Sequence, residues 1–388
     1  MQSRDDPAAR APNGAPFDTS GWKPVRFNAM VAPDQPRGTV PVIPTPSGER
    51  PLVLLFYDGF EWRAREGFVR GLFERGRQFA RWAYRTLRRR QVHTGFYTAF
   101  LGFVAALREA GCDVRINDFR TARALPHHPI GLAGYPQVLE TVALPNPVVF
   151  GPGDFGLPEP SRALADEARI RFLIQPSTWF AEYYRPFVGD KIATCFAPID
   201  TRRWPDLSGQ PKDIDVLIYD KIRWHRERLV PAVRERLCAH LDARGLSWAV
   251  VEYGHHHLAE FAAAMRRSRA MAFLCEHETQ GLACEEALAS GLPVFAWDEG
   301  VFIDPALAPF MPETLRTSTV PYFDDRCGRT FTLPGLEPEF DRFWQDLPGY
   351  RPRDYVLEAL TPARCAETYL ALYRAATVPP VAPGAAPA

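Results

Sequence analysis

Two glutamates, Glu278 and Glu286, stand eight residues apart around Gly281-Leu282 in the run Cys275-Glu276-His277-Glu278-Thr279-Gln280-Gly281-Leu282-Ala283-Cys284-Glu285-Glu286-Ala287-Leu288-Ala289-Ser290-Gly291-Leu292-Pro293-Val294. Carboxylates accept hydrogen bonds from hydroxyls, and the run is read as a candidate nucleotide-sugar site. The apolar stretches Met271–Cys275 and Val294–Trp297 read as buried strands flanking a compact helix. Gly281 lets backbone approach a ligand closely, and Gly291 with Pro293 supplies the helix stop. The first turn offers unpaired amides and a positive dipole end, which suit a diphosphate. Glu286 shares a stripe with Leu282 and Ala289, and a carboxylate on an apolar stripe needs a partner. Eight residues of helix rise by roughly 12 Å, comparable to the span from a hexose across a diphosphate to a ribose. Taken alone, the residues also fit a plainer description: Glu285 and Glu286 as solvated charges, and Glu278 as a helix-start carboxylate favoured by the dipole.

As a whole, residues 275–294 resemble the C-terminal-domain signature of retaining GT-B glycosyltransferases (group 1, family 4-like). The shared pattern is a Glu, Gly-Leu shortly after, Glu-Ala eight residues on, then Ala, Gly and Pro-Val; Ala287 and the Gly281-Leu282 pair set the register on Glu286, not Glu285. The resemblance extends over much of 51–376. His93-Thr94-Gly95 and the helix ending Leu107-Arg108-Glu109-Ala110-Gly111 look like the N-domain glycine turn and first helix. Pro198-Ile199-Asp200 with Trp204 is similar to the segment that opens the second domain.

The resemblance implies an α/β GT-B fold, two Rossmann-like domains facing a cleft, and transfer of a sugar from a nucleotide diphosphate sugar to an unknown glycan or lipid-linked acceptor with retention. Glu278 would contact the transferred sugar and Glu286 the ribose, with the amides of Gly281 and Leu282 on the diphosphate and Gly95 near the phosphates or the acceptor. Where the family has Gly-Arg after the first C-domain strand and a Lys six residues on, this chain has Asp220-Lys221 and Glu227. Lys221 is then the replacing cation, with Arg226 or Arg228 as the second and Arg223 a weaker choice. The sugar-facing histidine expected after a middle N-domain strand is missing; that place reads Val148 to Phe155, with Asp154 as a substitute or a turn carboxylate. No general base stands out, so front-face transfer is expected, the leaving phosphate helping to remove the acceptor proton. No metal or further cofactor is required, because fixed cations and helix-end amides can stabilise a leaving diphosphate. The alternatives are a catalytically silent sugar- or nucleotide-binding module and another GT-B enzyme, such as a sugar-nucleotide epimerase or a glycan phosphorylase.

At 388 residues the chain exceeds what one core usually serves. The expected organisation is a disordered segment 1–48, an N-terminal Rossmann-like acceptor domain 49–197 with a basic insertion 61–92, and a nucleotide-sugar-binding domain 198–353. A C-terminal helix 354–376 crosses back to the first domain, and 377–388 is a disordered tail. Strands are expected at Pro51–Tyr57, Cys112–Asn117, Pro147–Phe150, Ile170–Ile174, Ile214–Tyr219 and Ser247–Val251, with helices at Phe96–Ala110 and Glu227–Ala243. Basic and acidic residues balance at 46 each, so nothing draws the whole chain to nucleic acid. Seven cysteines without close pairs fit reduced thiols in a cytoplasm. No apolar signal core or spanning run occurs, which implies a soluble protein, peripheral at the inner membrane face at most.

The segment Gly254-His255-His256-His257 reads as a loop near the nucleotide base and not as a metal site, because adjacent residues diverge. Trp297-Asp298-Glu299-Gly300 is a strand-end loop that, by the resemblance, lies near the donor, and Asp324 and Asp325 read as solvated turn carboxylates. Residues 61–90 hold ten arginines and three glutamates, with Phe68, Leu72, Phe79, Trp82, Ala83 and Leu87 at helical spacing. Three readings fit: a helix resting on anionic lipid, a grip on an anionic acceptor such as a polyprenyl phosphate or acidic glycan, or an apolar face packed on the domain.

Overall fold

The computed structural model describes residues 50–87, 94–153, 155–156, 158–312 and 314–377. The expected terminal segments, except Thr377, together with His93, Asp154 and the end of the basic insertion, lie outside the described residues. The chain divides into two compact units, one ending at Asp200 and resuming at Ala359, the other running from Thr201 to Glu358.

The first unit is built on six parallel strands: β1 (Leu52–Asp58), β2 (Asp113–Ile116), β3 (Ile130–Gly134), β4 (Val148–Gly153), β5 (Ile170–Gln175) and β6 (Ile192–Thr194), in the order β2-β1-β3-β4-β5-β6. Leu-, Val- and Phe-rich runs such as Val53–Tyr57 are buried throughout, as strands covered on both faces require. The helix Gly95–Glu109 starts at Thr94, whose hydroxyl accepts from the amide of Tyr97 at 3.3 Å. Its buried Phe103 meets Tyr369 of the C-terminal helix Pro362–Ala375 edge to face at 5.3 Å. The hydroxyl of Tyr373 accepts from the amide of Leu54 at 2.9 Å and donates to the carbonyl of Pro129, which anchors that helix across β1 and the entry to β3.

The second unit carries β7 (Ile214–Lys221), β8 (Trp248–Glu252), β9 (Ser268–Cys275), β10 (Val294–Trp297) and β11 (Gly328–Phe331), all parallel in the order β11-β10-β9-β7-β8. Its core gathers Val216, Ile218, Leu274, Phe295, Phe340 and Phe343. The helix expected at 227–243 runs from Arg226 to Ala243 and buries Leu229, Val233, Leu237 and Leu241. Its middle, Val230–Glu235, is a π-helical turn at Pro231, whose missing amide breaks the regular bonding there. Among the described residues no helix is long and apolar enough to cross a membrane.

Strand β3, Ile-Gly-Leu-Ala-Gly, carries two glycines and an alanine, which argue against a strand. Its glycines are forced by crowding. A Cβ at Gly131 would lie 2.0 Å from the Tyr369 hydroxyl and 2.6 Å from a Leu55 methyl, and one at Gly134 would lie 2.3 Å from the Asp58 carbonyl. Gly131→Ala should therefore destabilise the protein by about 1–3 kcal/mol in urea unfolding. Removing the hydroxyl with Tyr369→Phe in the same chain should recover part of that loss. A Gly131→Ala protein as stable as the parent would refute the crowding argument.

Candidate functional site

In the second sheet the chain moves outward from β7 to β8, then returns across β7 to place β9 on its other side. Such a reversal opens a crevice at the carboxyl ends of the two central strands, where doubly wound folds bind ligands. Lys221 is the last residue of β7 and stands in register with Cys275, the last residue of β9. Glu276, His277 and Glu278 follow directly, and Gly281 opens the next helix.

Lys221 and Glu278 meet here as an ion pair, with side chains 14% and 9% exposed. The ammonium also sits 4.5 Å from the centre of the Tyr253 ring, and the Cys275 sulfur is 3.3 Å from the same carboxylate oxygen. Burial works against the charge of Glu278, but Lys221 and Arg223 outweigh it and hold the carboxyl below its ordinary range. Burial likewise opposes the charge of Lys221, and Glu278 reverses that balance and raises it. The backbone of Glu278 is fixed by its amide, which donates to the Ser318 carbonyl at 3.0 Å.

Arg223 is the second cation at this point. Its guanidinium donates to the His277 carbonyl at 2.7 Å, while its amide and that of Trp224 donate to Glu276 at 2.7 and 3.0 Å. Trp224 and Phe302 stack on His277 at 5.0 and 4.2 Å. Burial, with Arg223 and Lys221 nearby, pushes His277 down to about 2, so the imidazole is neutral. Neither Arg223 as the principal partner nor His277 stood out in the sequence. The usable signal was position, since both flank the ends of β7 and β9.

Arg226 is taken up by the neighbouring carboxylate of β7. It grips Asp220 with two hydrogen bonds of 3.1 and 3.0 Å, and Arg234 adds a third at 2.8 Å. Asp220 is fully buried, so both arginines serve to compensate a charge that water does not reach. Arg228 lines a small pocket together with His225, Glu276, Trp297 and Glu299. Burial raises Glu299, which accepts from the Trp297 indole at 2.8 Å.

The helix Leu282–Ala289 begins at Gly281, whose φ of 92° favours glycine whatever the space around it. Leu282 is the first helical residue, in the turn whose amides the helix itself leaves unpaired. The helix ends through Gly291, with Gly291 and Leu292 amides donating at 3.0 Å to Leu288 and Ala287. The two neighbouring glutamates diverge. Glu285 is buried and accepts from Gln280 at 2.9 Å, whereas Glu286 is partly exposed beside Trp204 and Arg203. Burial pushes Glu286 up to about 8, against the opposing pull of Arg203 and Trp204. Burial also pushes Asp298 up to about 6, where Ser318 donates to it at 2.9 Å.

Gly95, in the first unit, begins its helix with open space where a Cβ would stand, and it does not adopt a left-handed backbone. The three histidines do not converge. The ring of His257 caps the helix Leu258–Arg267, His256 contacts the Glu252 carbonyl at 2.8 Å, and His255 is solvent-exposed. Asp324, expected to be a solvated turn carboxylate, is instead mostly buried and held by Arg326 at 2.7 Å. Among the described residues no cluster of His, Cys, Asp or Glu could hold a metal.

No protein-family model matches the chain, and no curated protein matches it. The chain is similar to a solved glycosyltransferase from Rickettsia africae ESF-5, with a TM-score of 0.51, 10% identity and coverage of 85% of this chain and 99% of that one. It is also similar to sucrose-phosphate synthase from Thermosynechococcus elongatus, with a TM-score of 0.50, 13% identity and coverage of 84% and 99%. These neighbours are GT-B glycosyltransferases, and at such identities the likeness speaks for the fold: mixed α/β with two parallel sheets, consistent with a two-domain GT-B fold.

The raised Glu286 has a consequence for stability. A carboxyl that keeps its proton in the folded state up to about pH 8, and loses it near 4.3 when unfolded, makes the protein less stable as pH rises between those values. Glu286→Gln should flatten this part of the stability curve, followed by urea unfolding across that range. An unchanged slope would show that Glu286 titrates normally.

Proposed function

We propose that the chain is a glycosyltransferase that moves a sugar from a nucleotide diphosphate sugar to a glycan or lipid-linked acceptor, with retention at the anomeric carbon. The observation that carries this reading is the Lys221–Glu278 pair at the β7–β9 reversal, with Glu286 on the partly exposed side of the adjoining helix.

On this reading Glu278 receives hydroxyls of the transferred sugar, and Glu286 receives those of the ribose. Lys221 and Arg223 face the diphosphate, together with the first-turn amides at Gly281 and Leu282, and they stabilise the charge that builds as the sugar departs. Such neutralisation needs no metal. The diphosphate oxygen that leaves the anomeric carbon accepts the acceptor's proton on the same face, so the new bond forms where the old one broke. Gly95 supports a ligand at the first unit's helix start, since neither backbone conformation nor crowding requires glycine there. Arg226 is not part of the proposed donor contacts because Asp220 already holds it. Arg228 is left as a contact of the neighbouring pocket. All seven cysteines are free, in keeping with a cytoplasmic setting, which remains part of the proposal.

One observation favours a second reading, a silent nucleotide- or sugar-binding module. Lys221 and Arg226 already have carboxylate partners of their own within the unit. Incubation with a panel of nucleotide sugars and an acceptor mixture, with release of nucleotide diphosphate as the readout, separates the two. The transferase releases nucleoside diphosphate with at least one donor; binding without release supports the module.

The two glutamates should fail differently. Glu278→Gln is expected to lower turnover by about 10²-fold, with donor affinity changing less. Glu286→Gln should weaken donor binding about tenfold or more and leave turnover at saturation nearly intact. Wild-type behaviour in both variants would remove the assignment, and a product with inverted anomeric configuration would remove front-face retention alone.

A further inference from the structure

The helix Phe68–Leu87 is oriented inside out. The positions that seat it on the first unit are the polar stripe Glu74, Arg77, Gln78 and Arg81, at successive helical spacings. Glu74 is buried and accepts from the Arg63 amide at 3.0 Å and from Arg77. Arg77 donates to the Phe60 carbonyl at 3.1 Å, and Arg81 reaches Glu61 at 3.6 Å. The opposite arc carries Leu72, Phe73, Phe79, Trp82 and Leu87, which are 62%, 69%, 67%, 50% and 84% exposed. Packing of the apolar face onto the domain, one of the three readings of the sequence, is therefore excluded for these residues.

We propose that this arc is a docking surface for an anionic lipid bilayer. Charge selects the partner. Residues 61–90 carry ten arginines and three glutamates in a chain that is otherwise balanced. The three glutamates are each engaged within the unit: Glu61 accepts from Tyr57 and Thr94 and attracts Arg81, Glu74 holds Arg77, and Glu66 pairs with Arg123. Arg75 stands exposed on the apolar arc, between Trp82 and Phe79 in helical projection, where it can meet headgroup phosphates while the Leu and Phe side chains enter the acyl boundary. Trp82 has the amphipathic ring that favours the membrane–water boundary. The helix is not apolar enough to cross, so it lies in the plane of the surface. A second copy is a poor occupant, because it would bring two arginine-rich faces together.

The test uses the full chain with vesicles of phosphatidylcholine alone or of equal parts phosphatidylcholine and phosphatidylglycerol. The protein should sediment with the anionic vesicles and not with the neutral ones, and added salt should weaken the binding. Phe79→Ser with Trp82→Ser changes only outward side chains, so thermal unfolding should be unaltered while vesicle affinity falls about tenfold or more. The proposal is overturned if anionic vesicles do not bind the chain, or if the double variant binds them like the parent. It is equally overturned if the face instead holds a dimer that light scattering detects and the double variant abolishes. Nucleotide diphosphate release, measured without vesicles, is independent of this outcome.

Discussion

The contact between Lys221 and Glu278 sets the conditions for everything around the end of the second sheet. Taking either charge out of water alone costs several kcal/mol, so each makes the other's burial tolerable. Parallel strands make the problem recurrent, because every carboxyl end arrives at the same rim. Nearby charges follow the same rule: Asp220 is met by Arg226 and Arg234, and Glu276 by Arg223 and two backbone amides. Oppositely charged groups thus alternate along the ends of β7 and β9. Removing one member leaves its neighbour exposed to a low-dielectric interior, with consequences beyond a single lost bond.

A single carboxylate plays a comparable role in the first unit. Glu61 accepts from the Tyr57 hydroxyl at 2.9 Å and from the Thr94 amide at 2.8 Å, and it attracts Arg81 of the basic helix. It therefore links the end of β1, the outward-facing helix and the start of the helix Gly95–Glu109. The basic insertion is held by polar contacts to the strand-end region, which leaves Leu72, Phe73, Phe79, Trp82 and Leu87 exposed.

Much of this was legible in the sequence where one principle acts alone. Continuous apolar runs marked β1, β7, β9 and β10, and the Gly111 stop marked the end of the helix Gly95–Glu109. β3 was not legible, because its glycines answer to Tyr369 and Asp58, far along the chain or on a neighbouring strand. The basic helix showed its periodicity but not its direction. Amphipathicity says which residues share a face; only the contacts of Glu74 and Arg77 say which face is turned inward. At the candidate site the glutamates were found from spacing, and Lys221 from its place after a strand. The choice among arginines was not available, since it depends on Asp220 being buried deeply enough to claim Arg226.

The presence of lysine at position 221 then has a physical rationale. Arg226 shows what a guanidinium does beside a buried carboxylate: it closes a two-point fork on Asp220 and is fixed there by planar geometry. A lysine ammonium is a point charge on a flexible stem, without a preferred fork. At the end of β7 it can balance Glu278 and still turn toward another anion. On the proposed reading, a diphosphate sugar supplies both replacements at once, phosphate for the lysine and hydroxyls for the carboxylate. A nucleoside diphosphate supplies only the first and leaves Glu278 short of partners. The buried pair would thereby favour the complete donor over its own leaving group, through the cost of an uncompensated carboxylate and not through added contacts.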